Sequence, residues 1–170
     1  MDFNKLAETR YSLRKFSDRA VTKDTLDCIL HAAQVAPTAC NNQPQKIFVV
    51  QSADALAKLR QSTPYHFNAP VLLVVCYDRT KTWKRACDGQ CSGLVDASII
   101  TTHLMLQAAE LGLGTTWVGS FDPTKAAKAL DLPANIVPVA ILPLGYPAAD
   151  AAPAAMHTSR KDLAETVTWL

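Results

Sequence analysis

The segment from Leu94 to Leu111 constrains this fold most, because it predicts a long helix that is apolar on nearly all of its sides. The larger polar side chains that interrupt its apolar surface are Asp96, His103, Gln107 and Glu110. Such a helix must be buried, either by the rest of the fold or by a partner subunit. Two glycines, Gly112 and Gly114, indicate where the helix stops.

The length of 170 residues suffices for one domain with one hydrophobic core. Hydrophobic residues make up 49% and charged residues 19%, which excludes a disordered chain. No repeat or change of composition divides the sequence, so we predict a single domain over residues 1–170. Residues 148–159 are rich in alanine near their start and predict an extended connector before a C-terminal segment, residues 160–170.

Charge and hydropathy exclude several kinds of partner. The formal net charge is only +2 and the basic residues form no stripe, so we expect no nucleic-acid binding. No apolar run reaches the length of a membrane span, and no apolar leader follows Met1. We therefore expect a cytoplasmic protein without a membrane partner.

The five cysteines do not suggest a disulfide framework, because their number is odd and the chain is long for a disulfide-stapled domain. Cys28 and Cys76 lie in apolar segments and are predicted to be buried. Cys87 and Cys91 lack a second pair of ligands nearby, so we expect no metal site and interpret them as a labile thiol pair on a loop.

Periodicity and capping signals predict helices and strands in an order that does not alternate strictly. Helices are expected at Phe3–Thr9 after Asp2, between Thr22 and Pro37, from Ser52 to about Gln61, at Leu94–Leu111, and from Asp122-Pro123 onward. Strands are expected at Ile47–Val50, Val71–Cys76, Thr115–Val118 and Val137–Leu144. The continuously apolar run 71–76 is typical of a central strand, whereas Pro138 and Pro143 predict an edge strand or irregular pairing. This order favours the α+β class.

Three segments carry chemistry. The first, the arginine segment (residues 10–16), follows the first predicted helix. In an extended chain Arg10, Ser12 and Arg14 point to one side, which suits them to grip a phosphate. A solvated basic turn is the alternative.

The second segment is the amide loop (residues 36–45), which is rich in amides and stiffened by two prolines. Its amide groups could face a planar heterocycle, or the loop could be an ordinary turn. The third is the glycine segment (residues 112–119), in which the glycines follow a helix instead of preceding one. This order excludes a Rossmann fingerprint but suits a backbone that closely approaches a ligand.

Together and in this order, the segments resemble the FMN-dependent nitroreductase family over nearly the whole chain. The arginine segment matches R-x-S-x-R, and the amide loop matches A-P-S-x-x-N-x-Q-P with Thr38 in place of the serine. The long helix ends in G-L-G-T, and the motifs W-V-G and F-D-P follow it. Residues 138–147 match the last strand of the family, and Arg160-Lys161 match its closing basic pair. Gln45 departs from the family, since many members carry an aromatic residue there.

The resemblance implies a central, mainly antiparallel sheet flanked by helices, in an intertwined homodimer with FMN at the subunit interface. It implies that three arginines bind the FMN phosphate and that Asn41 reaches the flavin of the other subunit. It also implies that the backbone around Val118 lies along the ring and that the long helix packs against its symmetry mate, although a monomer's core helix is the alternative. The implied cofactor-binding residues are Arg10, Tyr11, Ser12, Arg14, Pro37, Thr38, Asn41, Gln43, Thr116, Trp117, Val118, Gly119 and Arg160.

The activity that the resemblance implies is that of an FMN-dependent NAD(P)H oxidoreductase. NADH or NADPH would reduce FMN, and a nitroaromatic, quinone or similar small acceptor would then take the electrons in a ping-pong cycle. No side chain is expected to act as a catalytic acid or base, because the flavin carries the chemistry. Two alternatives stay open: a non-enzymatic FMN-binding or redox-sensing module, and a flavin-destroying or dehalogenating relative. The sequence chooses neither the acceptor nor the nicotinamide.

Overall fold

Strand order places the most apolar strand in the middle of the sheet. In the computed structural model, which describes residues 2–170, four strands form one sheet in the order β1-β2-β4-β3. The strands are β1 (Gln45–Val50), β2 (Val71–Asp78), β3 (Gly114–Thr115) and β4 (Ile136–Gly145). Every paired neighbour is antiparallel. The α+β class and the antiparallel sheet are therefore confirmed.

Four of the six α-helices begin at a residue whose side chain caps the first turn. The α-helices are α1 (Phe3–Thr9), α2 (Lys23–Gln34), α3 (Ala53–Arg60), α4 (Gly93–Glu110), α5 (Pro123–Ala129) and α6 (Leu163–Thr166). Thr22 accepts a hydrogen bond from the Thr25 amide, and Asp122 caps α5 with Pro123 in its first turn. Asp2 stands at the start of α1 but its side chain makes no capping bond.

The sheet is covered on both faces. Alternate residues of β2, Val71, Leu73 and Val75, join α2 and α4 in one apolar cluster. The intervening residues, including Val74, pack with α3 and α5 in a second cluster. Because β2 is covered on both faces, its continuous apolar run is explained, and the prediction of a central strand is confirmed.

The long helix α4 is only partly covered within one chain. Ile100 and Leu104 are fully buried against the sheet, but Leu94 is 60% exposed and Val95 is 56% exposed. The helix ends at Glu110, and Gly112, just after it, has a φ of +76° that allows the Leu113 amide to donate to the Ala108 carbonyl at 2.9 Å. An exposed apolar surface on the central helix leaves room for a partner subunit.

Strand β4 shows how a strand accommodates two prolines. It lies between β2 and β3, so the prediction of an edge strand is wrong over its last residues, where Leu144 pairs with Thr115. Its pairing with β2 shifts register between Val75 and Cys76, opposite Pro138, and this confirms the predicted irregularity. Proline is tolerated because β3 covers only a short part of the second edge.

Two expectations about the periphery need correction. Cys28 is exposed, since Leu26, Ile29 and Ala33 face the core and Cys28 lies off that face of α2. The connector is not extended throughout, because a 3-10 turn forms at Ala155–Thr158. Cys76 is buried as predicted, and burial raises the pKa of its thiol to about 12.

Candidate functional site

The arginine segment is held against β3. The Leu13 amide donates to the Thr115 carbonyl at 3.0 Å, and the Thr116 hydroxyl donates back to the Leu13 carbonyl. Leu13 is 1% exposed, whereas Ser12 and Arg14 lie on the more open side. The alternation expected of an extended segment is therefore present. The Thr116 hydroxyl, however, is already used inside the protein.

Two polar atoms beside this segment lack a partner. Arg10 Nη1 is buried and makes no hydrogen bond to any residue in the part of the chain that is described, and the same is true of Thr115 Oγ1. Arg10 lines a cleft of about 180 Å³ together with Tyr11 and Gly114. A buried donor without a partner is costly, so this corner fits a ligand that supplies acceptor oxygens. Thr115 lies in the glycine segment but is not among the predicted cofactor-binding residues, which include its neighbour Thr116.

The other two arginines of the predicted clamp are exposed. Arg14 donates from Nη1 to the Ser12 carbonyl at 3.2 Å. Arg160 donates to the carbonyls of His157 and Ser159 at 2.6 and 2.7 Å. The ring of His157 meets the ring of Tyr11 edge-on at 6.2 Å, so the C-terminal segment folds back onto the arginine segment. His157 is a second residue that the sequence did not single out.

The glycine segment offers an unpaired backbone donor at an exposed residue. Val118 is buried and exchanges both backbone hydrogen bonds with Ile141, at 2.9 and 3.1 Å. Trp117 packs against the core cluster that contains α2 and α4. Gly119 is exposed, and its N–H donates to no acceptor among residues 2–170. Of these three predicted residues, Gly119 is the one that is exposed and whose amide is unpaired.

The amide loop has an unusual backbone. Cys40, Asn41 and Gln43 all have φ near +50°, a region that residues other than glycine seldom adopt. Inside the loop the Gln43 amide donates to Thr38 Oγ1 at 3.1 Å, and Gln43 Nε2 donates to Asn41 Oδ1 at 3.2 Å. Asn41 and Gln43 are exposed, and Pro37 is exposed beside them. The loop therefore presents polar groups outward.

A buried carboxylate holds this loop. Asp96, in the first turn of α4, is 1% exposed and accepts from the Ala39 amide at 2.9 Å and from the Ser92 hydroxyl at 2.7 Å. Beside it lies a pocket of about 360 Å³ with Trp83 and Ile99 in its walls. A charged residue within an apolar helix is the signal by which the sequence could have indicated Asp96.

One chain places the amide loop and the arginine segment at opposite corners of the sheet. The loop leads into Gln45, which pairs with Tyr77 at one end of β2, whereas Thr115 pairs with Leu144 opposite Val71 at the other end. The separation is six residues along the strands, about 20 Å, and three strand spacings across the sheet, about 14 Å. These two groups of predicted site residues do not meet within one chain.

An aromatic turn adjoins the glycine segment and was also missed. The Thr63 hydroxyl donates to the Ser120 carbonyl at 2.7 Å. In the following turn, Phe67 and Asn68 have φ near +50°, and Tyr65 is 47% exposed with its ring 6.3 Å from that of Phe67. Exposed aromatic side chains and backbone strain together mark a candidate ligand contact.

Residues 2–170 contain neither a candidate metal cluster nor a candidate membrane-spanning helix. Within this range no group of three or more His, Cys, Asp or Glu side chains could hold a metal ion. In the same range no helix has both the length and the apolar character that crossing a bilayer requires.

Comparison with known proteins finds the same architecture. A protein of Archaeoglobus fulgidus, provisionally named NADH dehydrogenase/NAD(P)H nitroreductase, is 35% identical over 84% of this chain and 84% of its own length. A nitroreductase family protein of Clostridium difficile 630 has a crystal structure that superposes with a TM-score of 0.92 at 39% identity, covering 99% of this chain and 98% of the other.

A third relative carries a cofactor in its name. It is an FMN-dependent nitroreductase of Clostridium difficile R20291, with 29% identity and a TM-score of 0.73 over 84% of this chain and 86% of its own. The sequence profile described as the nitroreductase family matches residues 7–64 and 63–146, which is most of the molecule. The chain therefore belongs to the nitroreductase family of oxidoreductases.

Proposed function

We propose that this protein is an FMN-dependent NAD(P)H oxidoreductase whose two active sites are each shared between the subunits of a homodimer. The observation that carries the proposal is the pair of buried, unpartnered polar atoms, Arg10 Nη1 and Thr115 Oγ1, beside the arginine segment. Family membership supplies the class of ligand, since relatives are named for FMN and for NAD(P)H. When bound, FMN takes a hydride equivalent from NAD(P)H and passes electrons to an acceptor.

The phosphate end of FMN fits the arginine segment. A guanidinium binds phosphate through two parallel, charge-assisted hydrogen bonds and stays charged at any working pH. Arg10 supplies a buried donor, and Arg14 and Arg160 supply exposed ones nearby in the fold. Tyr11 lines the cleft beside Arg10. We assign Ser12 and the unpartnered Thr115 hydroxyl, each of which belongs to a residue that directly follows a cleft-lining residue in the chain, to the ribityl chain.

The ring end of FMN fits the glycine segment. The Gly119 N–H is the open donor at which we place the flavin N5, with Trp117 and Val118 holding that backbone in place. Thr116 contributes indirectly, because its hydroxyl fixes the Leu13 carbonyl. No side-chain acid or base is required, since the chain's part is to orient the ring and exclude water.

The second subunit completes the site. The amide loop of the same chain is about 25 Å from the arginine segment, given the strand spacings of the sheet. We therefore assign the loop to the flavin of the partner copy, through Pro37, Thr38, Asn41 and Gln43. The exposed apolar residues of α4, Leu94 and Val95, give the two copies a surface to bury. This arrangement supports the proposal of an intertwined homodimer.

The acceptor is a small planar molecule such as a nitroaromatic or a quinone, which takes electrons in a ping-pong cycle after the nicotinamide leaves. Aromatic and apolar side chains suit planar ligands. Tyr65, beside the ring end, and the pocket lined by Trp83 and Ile99, beside the amide loop, offer such surfaces.

The test begins with the absorbance spectrum of the purified protein, followed by anaerobic titration with NADH and with NADPH. We expect a flavin spectrum that bleaches with at least one nicotinamide and returns when a quinone is added. Flavin released by heat should run as FMN on chromatography. A protein that binds FMN but is not bleached would be a binding module, and loss of the flavin during turnover would indicate a flavin-destroying enzyme; either result would overturn the proposal.

A further inference from the structure

We infer that Asp96 is the positioning residue of the shared site: its buried carboxylate sets the conformation of the amide loop and thereby where Asn41 meets the flavin. The part of the inference that concerns the flavin rests on the proposed function. The part that concerns the loop conformation rests on contacts within one chain. Asp96 is not placed in contact with the cofactor.

Asp96 connects three parts of the chain. Its Oδ1 accepts from the Ala39 amide at 2.9 Å, which fixes the start of the left-handed turn. Its Oδ2 accepts from the Ser92 hydroxyl at 2.7 Å, and Ser92 Oγ in turn accepts from the Trp83 amide at 3.2 Å. The amide loop, helix α4 and the loop that carries Trp83 therefore meet at one carboxylate.

The amide loop needs an external anchor. Positive φ at Cys40, Asn41 and Gln43 is unfavourable for residues with a Cβ and persists only when surrounding contacts impose it. The bonds from Gln43 to Thr38 and Asn41 lie inside the loop, so they shape it without fixing it to the fold. The Ala39–Asp96 bond joins residues 57 positions apart and fixes the loop at its start, whereas the bond from the Asp78 N–H to the Pro44 carbonyl fixes only its far end.

The two hydrogen bonds at position 96 require a carboxylate. Both groups that point at Asp96 are donors, so an acceptor is needed on each oxygen. Alanine at this position leaves the Ala39 N–H and the Ser92 hydroxyl without a partner. Asparagine can still accept from Ala39, but its amide NH₂ then faces the Ser92 hydroxyl, which must rotate and become an acceptor. Asp96→Asn should therefore lie between wild type and Asp96→Ala.

The chain provides a matched control. Asp78 is also buried, and its Oδ1 accepts from a backbone amide, that of Thr80, at 2.9 Å and from the Thr80 hydroxyl at 2.6 Å. Its carboxylate bonds to Thr80 and Asn135, and only its backbone N–H reaches the amide loop, donating to the Pro44 carbonyl at 2.7 Å. Asp78→Ala thus removes three side-chain hydrogen bonds, against two in Asp96→Ala, but keeps that backbone bond and the bond from Ala39 to Asp96.

The first measurement needs no cofactor. Hydrogen–deuterium exchange of the apo protein should become at least tenfold faster at residues 39–43 in Asp96→Ala and change less in Asp96→Asn. Asp78→Ala should leave those residues at wild-type rates. Unchanged exchange at residues 39–43 in Asp96→Ala would overturn the inference. If this variant does not fold, Asp96→Asn and Ser92→Ala, which each disturb part of the anchor, decide by the same criterion.

The second measurement uses the FMN-loaded protein. The visible spectrum and midpoint potential of bound FMN should shift in Asp96→Ala in the same direction as in Asn41→Ala, and the double variant should shift no further. Additive shifts, or a wild-type spectrum in Asp96→Ala, would refute the positioning role. A wild-type protein that binds no FMN would instead refute the proposed function, while the exchange experiment would still decide whether Asp96 holds the loop.

Discussion

The side chain of Leu13 occupies the space in which Gly114 would carry a Cβ atom. A Cβ built on Gly114 would lie 2.5 Å from Leu13 Cδ2 and 2.6 Å from Leu13 Cβ, closer than carbon atoms approach in folded proteins. The glycine therefore lets the arginine segment lie directly on β3. At this position the glycine segment packs against the chain's own Leu13.

Gly114→Ala should destabilise the protein by about 1–3 kcal/mol, because overpacking forces Leu13 or the backbone to move. Urea unfolding of the apo protein measures the loss. Gly119→Ala is the control, since a Cβ there would meet nothing closer than Trp117 Nε1 at 3.7 Å. Equal stability of the two variants would contradict the close packing of Leu13.

Arg10→Ala should weaken FMN binding by about 10- to 150-fold, because a hydrogen bond to a charged group contributes about 1.5–3 kcal/mol. Turnover should largely return when the variant is saturated with FMN, since the substitution leaves the ring end unchanged. Fluorescence titration of the apo protein with FMN measures the affinity. Arg14→Ala should show a loss in the same range.

Arg79→Ala is the control for the loss of one positive charge. Arg79 is exposed and lies outside the arginine segment, and its backbone amide bonds to the Asn135 carbonyl whatever its side chain. Its substitution should leave the FMN affinity at the wild-type value. Equal affinities for Arg10→Ala, Arg79→Ala and the wild type would show that Arg10 does not bind the phosphate.

Leu94→Glu should convert the homodimer into a monomer that binds FMN weakly, because it places a charge on the exposed apolar surface of α4. Sedimentation should give about twice 18.4 kDa for the wild type and 18.4 kDa for the variant. Ala57→Glu, at an exposed position of α3, should remain dimeric. A monomeric wild type that binds FMN tightly would contradict the shared site.

Asp78 should make the folding stability depend on pH in the acidic range. Hydrogen bonds from the Thr80 and Asn135 side chains lower the pKa of Asp78 from 3.8 to about 2. A carboxyl whose pKa is lower in the folded state stabilises the fold above its unfolded pKa, and that contribution is lost as the pH falls from about 4 to about 2. Asp78→Asn should show a smaller fall in the urea midpoint over this range. Parallel profiles for variant and wild type would count against this assignment.

Local signals were enough to locate most elements. Asp122 followed by Pro123 predicted the start of α5, and the apolar run 71–76 predicted a central strand, because capping and burial on both faces leave a pattern in consecutive residues. Cys28 was misplaced, because an apolar neighbourhood in sequence does not show which side of a helix a small residue takes. The prediction that β4 is an edge strand was wrong in part. A proline shows that one N–H is missing from the strand, but it does not show how far a neighbouring strand extends.

The sequence by itself determined the class, the elements and the candidate residues of the arginine segment and the amide loop, since these depend on residue type and short spacing. The tertiary structure alone decided which groups remain available to a ligand. The Thr116 hydroxyl and the Val118 backbone are bonded inside the protein, whereas Arg10 Nη1, Thr115 Oγ1 and the Gly119 N–H have no partner among residues 2–170. It also decided that the amide loop is held by Asp96 and lies at the opposite corner from the arginine segment. Hydrogen-bond partners far apart in the chain follow from the packing of the sheet, and no local pattern records them.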